Sequence, residues 1–220
     1  MTRASFTVAY VGPHCSVQDK GRFGLMRYGV PASGPMDRSS FAIANAALGN
    51  QHDAPAIEVS MGGLVLDCIS GSVTIAIAGG GFDVSIDGVK YPSWTAITIR
   101  SGSRLTIKPG SWGSWAYLAF AGNMHCARWL SSAATHIASG FGGGTLKANA
   151  VIEIASAEVR SSRVQYISYP PPTEFRRAIR VILGPKIAIL VLKQSRHFFR
   201  NNSNCPTHMI GWVFDLEVPH

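Results

Sequence analysis

Between residues 56 and about 120 the chain repeats one device: a short apolar run rich in β-branched and aromatic residues, closed by Gly, Pro, Asp or Ser, at intervals of about ten residues. The runs read AIEVSM, LVLDCI, SVTIAIAG, FDVSIDG, TAITIRSG, RLTIKPG and WAYLAFAG. SVTIAIA alternates, and so does RLTIKP, where Leu105 and Ile107 share one face while Arg104, Thr106 and Lys108 share the other. That pattern predicts antiparallel strands with one wet face. Asp87-Gly88 predicts a tight hairpin turn, because both central positions of the favoured turn need positive φ. Many short strands with one clear helix argue for a closed or nearly closed sheet, since closure removes unpaired edges. The expected fold is mainly β: a β-barrel with one short helix.

The segment from Val17 to Glu58 gathers polar groups on a stiff loop. Gln18, Asp19, Arg22, Arg27, Ser33, Asp37 and Asn45 stand among Gly21, Gly24, Gly29, Gly34 and Gly49, whose turns bring amide donors close to a ligand. Asp37 can cap a helix with Phe41, Ile43, Ala44, Ala47 and Leu48 as its apolar face, stopped by Gly49-Asn50. A helix start beside a glycine-rich loop is also a ready anion site, so capping and ligand contact are both open to Asp37. Gln18 and Asp19 can brace a turn or bind. Arg22 can pair with Asp19 or donate to a ligand, and Asn45 can satisfy backbone within the helix packing or orient an amide.

Glu58 alternates with Ile57 and Val59, so it points across the sheet from them, toward solvent or a barrel interior. A buried, unpaired carboxylate is costly or stays protonated, so an inward Glu58 is expected to hydrogen-bond the 18 to 37 loop. A second element, SSAATHIASGFGGG, holds Thr135 and His136. The imidazole can serve as acid, base or anion contact, and Gly140, Gly142, Gly143 and Gly144 allow a close backbone approach; a purely structural histidine is the alternative.

Composition narrows the class. An apolar content of 46 % supports a real core. No stretch approaches the ~20 uninterrupted apolar residues of a membrane span, and MTRASFTVAYVGPHC lacks the pattern of a secretory leader, so a cytoplasmic location without a membrane partner is expected. Cys15, Cys68, Cys126 and Cys205 show no CxxC spacing, which argues against a zinc site or a disulfide framework. Buried reduced thiols are expected, with a reactive role open only to Cys15 beside the glycine-rich loop. The histidines show no HxH or HExxH spacing, so no protein-bound catalytic metal is expected.

The net charge of +8 is uneven: 11 Lys or Arg against 9 Asp or Glu up to Glu158 give +2, and 9 against 3 from Val159 onward give +6. The basic tail carries no recognition motif or aromatic platform, which argues against nucleic acid. There is no βαβ repeat and no GxGxxG after a strand, so a Rossmann or P-loop nucleotide site is not supported.

QDKGRFG, GVPASGPMD, the helix with AxxxLGN, AxEVSMGG, Ala-Gly-Gly at 78 to 80, AYLAFAGN and THIASGFGG follow one another in an order that resembles the biotin-dependent carboxyltransferase family. That family includes allophanate hydrolase subunit 2, the carboxyltransferase portion of urea carboxylase, the C component of the prokaryotic 5-oxoprolinase and the KipA-type regulators. The likeness runs from about Val17 to about Gly144 and continues weakly in IRVILGP at 179 to 185. It implies a cyclophilin-like barrel over residues 1–158 carrying the site, a Pro-rich linker over 159–178 and an incomplete second β-rich domain over 179–220. From Lys186 to His208 the chain has no acidic residue and matches the family poorly, yet MIGWVFDLE resembles a later family strand. A shifted reading frame or degraded gene end produces such a mixture, so a truncated second domain is expected.

The first function the resemblance implies is that of the 5-oxoprolinase C component, part of an ATP-dependent complex opening 5-oxoproline to glutamate. A homologue of the B component, of the allophanate hydrolase subunit 1 or KipI type, completes the cleft, the A component stands alongside, and ATP belongs to the assembled complex. The alternatives are carboxyl transfer to urea or a related amide from carboxybiotin held by a partner, and a non-catalytic KipA-type regulator or degenerate remnant. On the enzymatic readings Asp19, Arg22, Asp37 and His136 are the expected catalytic residues. Gln18, Ser33, Gly34, Met36, Asn45, Glu58 and Thr135 are the expected contacts to a small amide or lactam. Arg22 and the backbone amides of the 29 to 36 loop donate to an oxyanion, Asp19 or Asp37 manages the proton on nitrogen, and Gln18 and Asn45 orient the amide. Where relatives continue Gly-Arg-x-Leu-x-x-Gly-Asp, this chain has Gly144-Thr145-Leu146-Lys147-Ala148-Asn149-Ala150, which removes one anion contact and a glycine turn.

Overall fold

The computed structural model describes residues 2–160 and 163–168, and the backbone of Ala178–Ile182 and Val213–Glu217. The chain divides into two compact units, Met1–Tyr169 and Pro170–His220. The prolines at 170 to 172 and the basic stretch from Lys186 to His208 lie outside the described residues.

In chain order the first unit contains β1 (Arg3–Val11), β2 (Ser16–Gln18), α1 (Arg38–Ala47), β3 (Ala56–Ser60), β4 (Leu64–Ser70), β5 (Ser72–Gly79), β6 (Asp83–Ile86) and β7 (Val89–Tyr91). It continues with β8 (Thr95–Arg100), β9 (Arg104–Lys108), β10 (Trp115–Phe120), β11 (Asn123–Met124), β12 (Val151–Ala155) and β13 (Gln165–Tyr166). The strands form two antiparallel sheets, ordered β11-β12-β1-β4-β9-β6-β7 and β13-β8-β5-β10-β3-β2. The architecture is mainly β, and each of the seven apolar runs contains a strand.

Phe6 of β1 and Phe120 of β10 meet across the two sheets with ring centroids 5.3 Å apart. Around them Leu66, Leu105 and Ile107 from the first sheet and Ile75, Ile99 and Leu118 from the second are buried. Each such side chain contributes about 1.5–3 kcal/mol on burial, against ~0–1 kcal/mol for an exposed ion pair such as Arg104 with Asp67. The sheet interface therefore outweighs the surface charges.

The alternation in Arg104–Lys108 survives as expected, with Leu105 and Ile107 inside. In Ser72–Gly79 it does not: every residue from Val73 onward is buried, because α1 packs over the outer face of β5 and β10. Asp87 and Gly88 take φ of 51° and 84° and join β6 to β7 as the hairpin reading requires. β1 falls outside the recurring runs yet pairs with both β4 and β12, turning Ala4, Phe6 and Val8 inward. In the second unit Ala178–Ile182 (β14) pairs antiparallel with Val213–Glu217 (β15).

Candidate functional site

Gln18 ends β2 at the edge of the second sheet, and the chain then leaves the sheet through Asp19 to Arg22. Gly21 has φ of 92°, and a Cβ there would stand 2.8 Å from the carbonyl oxygens of both Ala32 and Ser33. Glycine is therefore required for this approach. Ser33 and Gly34 take φ of 56° and 99°, which doubles the loop back so that Arg22 N donates to Ala32 O at 2.8 Å.

Asp19 is buried and accepts four hydrogen bonds: from Gly21 N (2.9 Å), Ser132 Oγ (2.6 Å), Ala133 N (2.6 Å) and Ala134 N (3.2 Å). Its ion-pair partner is Arg128 at 3.6 Å. Arg22 reaches elsewhere: Nη1 donates to Ser33 Oγ at 3.1 Å, Nη2 to the Ala134 carbonyl, and the guanidinium lies 5.1 Å from the Trp129 ring centroid. Trp129 in turn stacks on Phe141 at 4.3 Å. Gln18 Nε2 donates to Ser16 Oγ at 2.9 Å and to Thr135 O at 3.4 Å.

The Thr135 hydroxyl lies 2.6 Å from the Val17 carbonyl and accepts from Gly144 N at 3.0 Å. His136 is half-buried, with Nδ1 2.9 Å from Ser139 Oγ. Two elements separated by 113 residues between Asp19 and Ser132 are thus one hydrogen-bonded structure.

Asp37 caps α1 as its sequence position predicts, accepting from Ser39 N and Ser40 N at 3.1 Å and from the Ser40 hydroxyl. Glu58 is buried, and its Oε2 accepts from Met36 N and from Tyr117 OH, both at 2.8 Å. The Tyr117 oxygen accepts from Asp37 N at 2.7 Å, so a Glu58–Tyr117 pair anchors the turn that starts the helix. Glu58 does contact the 18 to 37 loop, but from the helix-covered face of the sheet, where its cross-strand neighbour Tyr117 meets Phe41 of α1 edge-on at 5.9 Å. Burial pushes the Glu58 carboxyl above its ordinary value, partly opposed by the Met36 and Tyr117 hydrogen bonds. Burial, with Glu58 beside it, also pushes the Tyr117 hydroxyl up.

The remaining expected residues are spread more widely. Met36 engages Glu58 through its backbone while its side chain is 70 % exposed. Asn45 stands apart, its Nδ2 donating to Ala54 O at 3.0 Å and its Oδ1 accepting from Asn50 at 3.1 Å, which secures the loop after α1. Tyr117, Trp129, Phe141 and Ser132 are site residues that the sequence reading did not single out. The role of Tyr117 depends on its register opposite Glu58, which no local pattern reveals; Trp129 and Phe141 bracketing the Thr-His element were a visible signal.

After all these bonds, two buried side-chain atoms in this loop have no hydrogen-bond partner among the described residues: Gln18 Oε1 and Arg22 Nε. Among the described residues no three His, Cys, Asp or Glu side chains gather as a metal site, and no helix is long and apolar enough to cross a membrane.

Fold and site together define a two-sheet β domain whose polar site is built from loops rather than from the sheet. The chain belongs to the carboxyltransferase domain family, whose model for subdomains A and B matches residues 28–204. It is 38 % identical over 157 residues to the urea amidolyase of Saccharomyces cerevisiae, covering 69 % of this chain and 8 % of that protein. It is 31 % identical over 132 residues to the C component of the Escherichia coli 5-oxoprolinase, covering 60 % and 42 % respectively. The crystal structure of TTHA0988 matches with a TM-score of 0.72 at 31 % identity, over 83 % of this chain and 36 % of that one. The chain spans less than two thirds of the length of each of these relatives.

Proposed function

We propose that the chain supplies one wall of a site for a small amide and works within an ATP-dependent amide-processing complex of the 5-oxoprolinase type. The observation that carries this reading is the pair of unmatched atoms, Gln18 Oε1 and Arg22 Nε. One accepts and the other donates, the complement of an amide N–H and C=O. Leaving a buried polar group unmatched costs about 1–3 kcal/mol, and a lactam or urea-type amide carries the donor and the acceptor that these two atoms lack.

Within this reading Asp19 and Asp37 are positioning residues, because their oxygens already hold backbone and hydroxyl donors. Arg22 is the donor to a developing oxyanion. The proton on nitrogen falls to His136, the half-buried imidazole beside Arg22's partner Ala134. Phe23, Met26, Tyr28 and Met36 stand exposed along the loop, an apolar rim suited to cover by a homologue of the 5-oxoprolinase B component. The A component stands alongside, and ATP is handled by the assembled complex. Carboxyl transfer to urea from carboxybiotin on a partner is the second reading, favoured by the 38 % identity to urea amidolyase.

The test is to assemble the chain with homologues of the A and B components from its own genome and supply ATP with 5-oxoproline, or with urea, bicarbonate and a biotin carrier and carboxylase. Glutamate release from 5-oxoproline is expected, falling by about 100-fold or more in Arg22→Gln. Consumption of urea alone moves the assignment to carboxyl transfer. Turnover of neither substrate, or equal rates in Arg22→Gln, overturns both.

A further inference from the structure

The loop after α1, the turn after β10 and the stretch after β12 border a half-open cleft of about 450 Å³. Its wall carries two guanidinium groups, Arg128 and Arg160, two carboxylates, Asp53 and Glu158, and the carboxamides of Asn50 and Asn123. The carboxylates are already engaged. Asp53 holds Lys20 at 2.8 Å, which keeps its carboxyl below the usual range, and Glu158 holds Arg160 Nε at 2.9 Å.

The guanidinium groups are far less committed. Arg128 donates one N–H to Ser131 O at 3.3 Å and stands 3.6 Å from Asp19, whose oxygens already hold four donors. Arg160 gives Nε to Glu158, and its Nη1 rests against Gly49, 3.1 Å from where a Cβ would stand. A guanidinium carries five N–H donors in a planar fork. The cleft therefore keeps unused charged donors on two separate forks, while each carboxylate already has one oxygen paired. Forked, charged donors bind carboxylates in a bidentate manner more strongly than they bind neutral groups.

The geometry points to a second binding site in this cleft, for a small organic carboxylate gripped between Arg128 and Arg160 with Asn123 beside it. This site adjoins the amide loop, since Arg128 stands 3.6 Å from Asp19 and Asp53 holds Lys20, but its lining residues are not those proposed to touch the amide, so the two proposals are tested apart. The carboxylate site is built from Gly49 to Pro55, Gly122 to Arg128 and Ser156 to Arg160, while the amide site is built from Gln18 to Asp37 and Ser132 to His136.

Isothermal titration of the full chain with malonate, and separately with inorganic phosphate, tests it. A single saturable malonate site is expected, at least tenfold weaker in Arg128→Gln and in Arg160→Gln and unchanged in His136→Gln. Both arginine side chains reach the surface, at 50 % and 32 % exposure, so equal melting temperatures of the variants will separate lost binding from lost fold. The absence of saturable malonate binding, or an affinity in both arginine variants equal to that of the unaltered chain, overturns the proposal. So does loss of binding in His136→Gln, which places the ligand in the amide site. Phosphate bound as tightly as malonate at the same arginines overturns the carboxylate assignment.

Discussion

Asp19→Ala removes the acceptor that joins the loop at 19–22 to the turn at 132–134, at a position only 3 % exposed. Four donors lose their partner, but unequally. Ser132 can rotate its hydroxyl, and Ala134 N keeps Ser132 Oγ at 3.1 Å, leaving Gly21 N and Ala133 N to bear the full loss. At about 1–3 kcal/mol for each buried donor left unmet, the expected destabilisation is about 4 kcal/mol. That is a large share of the ~5–15 kcal/mol that holds a domain together. Asp19→Asn keeps one carbonyl acceptor and turns an N–H toward the other donors, so about half that loss is expected. Urea unfolding of the full chain, followed by tryptophan fluorescence, measures both. A loss below about 1 kcal/mol in Asp19→Ala with an unchanged urea dependence would refute the reasoning, because it would mean that water or Arg128 replaces the carboxylate at little cost.

Burial holds the Glu58 carboxyl above its reference value of 4.5, so the folded state binds that proton more tightly than the unfolded chain. The stability this contributes is full below about pH 4.5 and is lost as pH rises through the folded value. Glu58→Gln, which keeps an acceptor for Met36 N and Tyr117 OH, is expected to flatten that decline in urea titrations between about pH 4 and pH 8; identical slopes would contradict the assignment. Tyr117→Phe leaves Asp37 N without its partner and is expected to cost about 1–3 kcal/mol, read by the same titration at neutral pH. Gly21→Ala meets two carbonyl oxygens at 2.8 Å and is expected to cost about 3 kcal/mol or more, whereas Gly24→Ala, at φ of 79° with nothing within 4 Å, carries only the left-handed penalty of about 1–2 kcal/mol. Equal losses at the two glycines would show that the close approach at Gly21 does not matter.

Much of the fold was legible because one physical signal, a β-branched run closed by a turn residue, recurs through the middle of the chain. The Asp87-Gly88 hairpin and the Asp37 cap followed from local chemistry alone, since both depend on a residue and its immediate neighbours. β5 misled because its burial is set by α1, a distant element packed on its outer face. The site was legible as a collection of residue types but not as a division of roles. Asp19 reads as able to brace a turn or to bind; it does brace the turn through Gly21 N, but Ser132, Ala133 and Ala134, which fill the rest of its oxygens, arrive from more than a hundred residues away. Asn45 reads as satisfying backbone or orienting an amide, and only the return of the loop after α1 decides for the backbone carbonyl of Ala54. In each case the decisive partner is set by sheet register and loop return, which a single sequence does not display.

A double-mutant cycle on Asp19→Ala and Ser132→Ala, each of which removes the contact outright, tests by urea unfolding whether the two distant loops form one site. The two side chains meet at 2.6 Å, so a coupling energy of about 1 kcal/mol or more is predicted. Additivity within about 0.5 kcal/mol would contradict the account, because loops that do not meet have no interaction to lose.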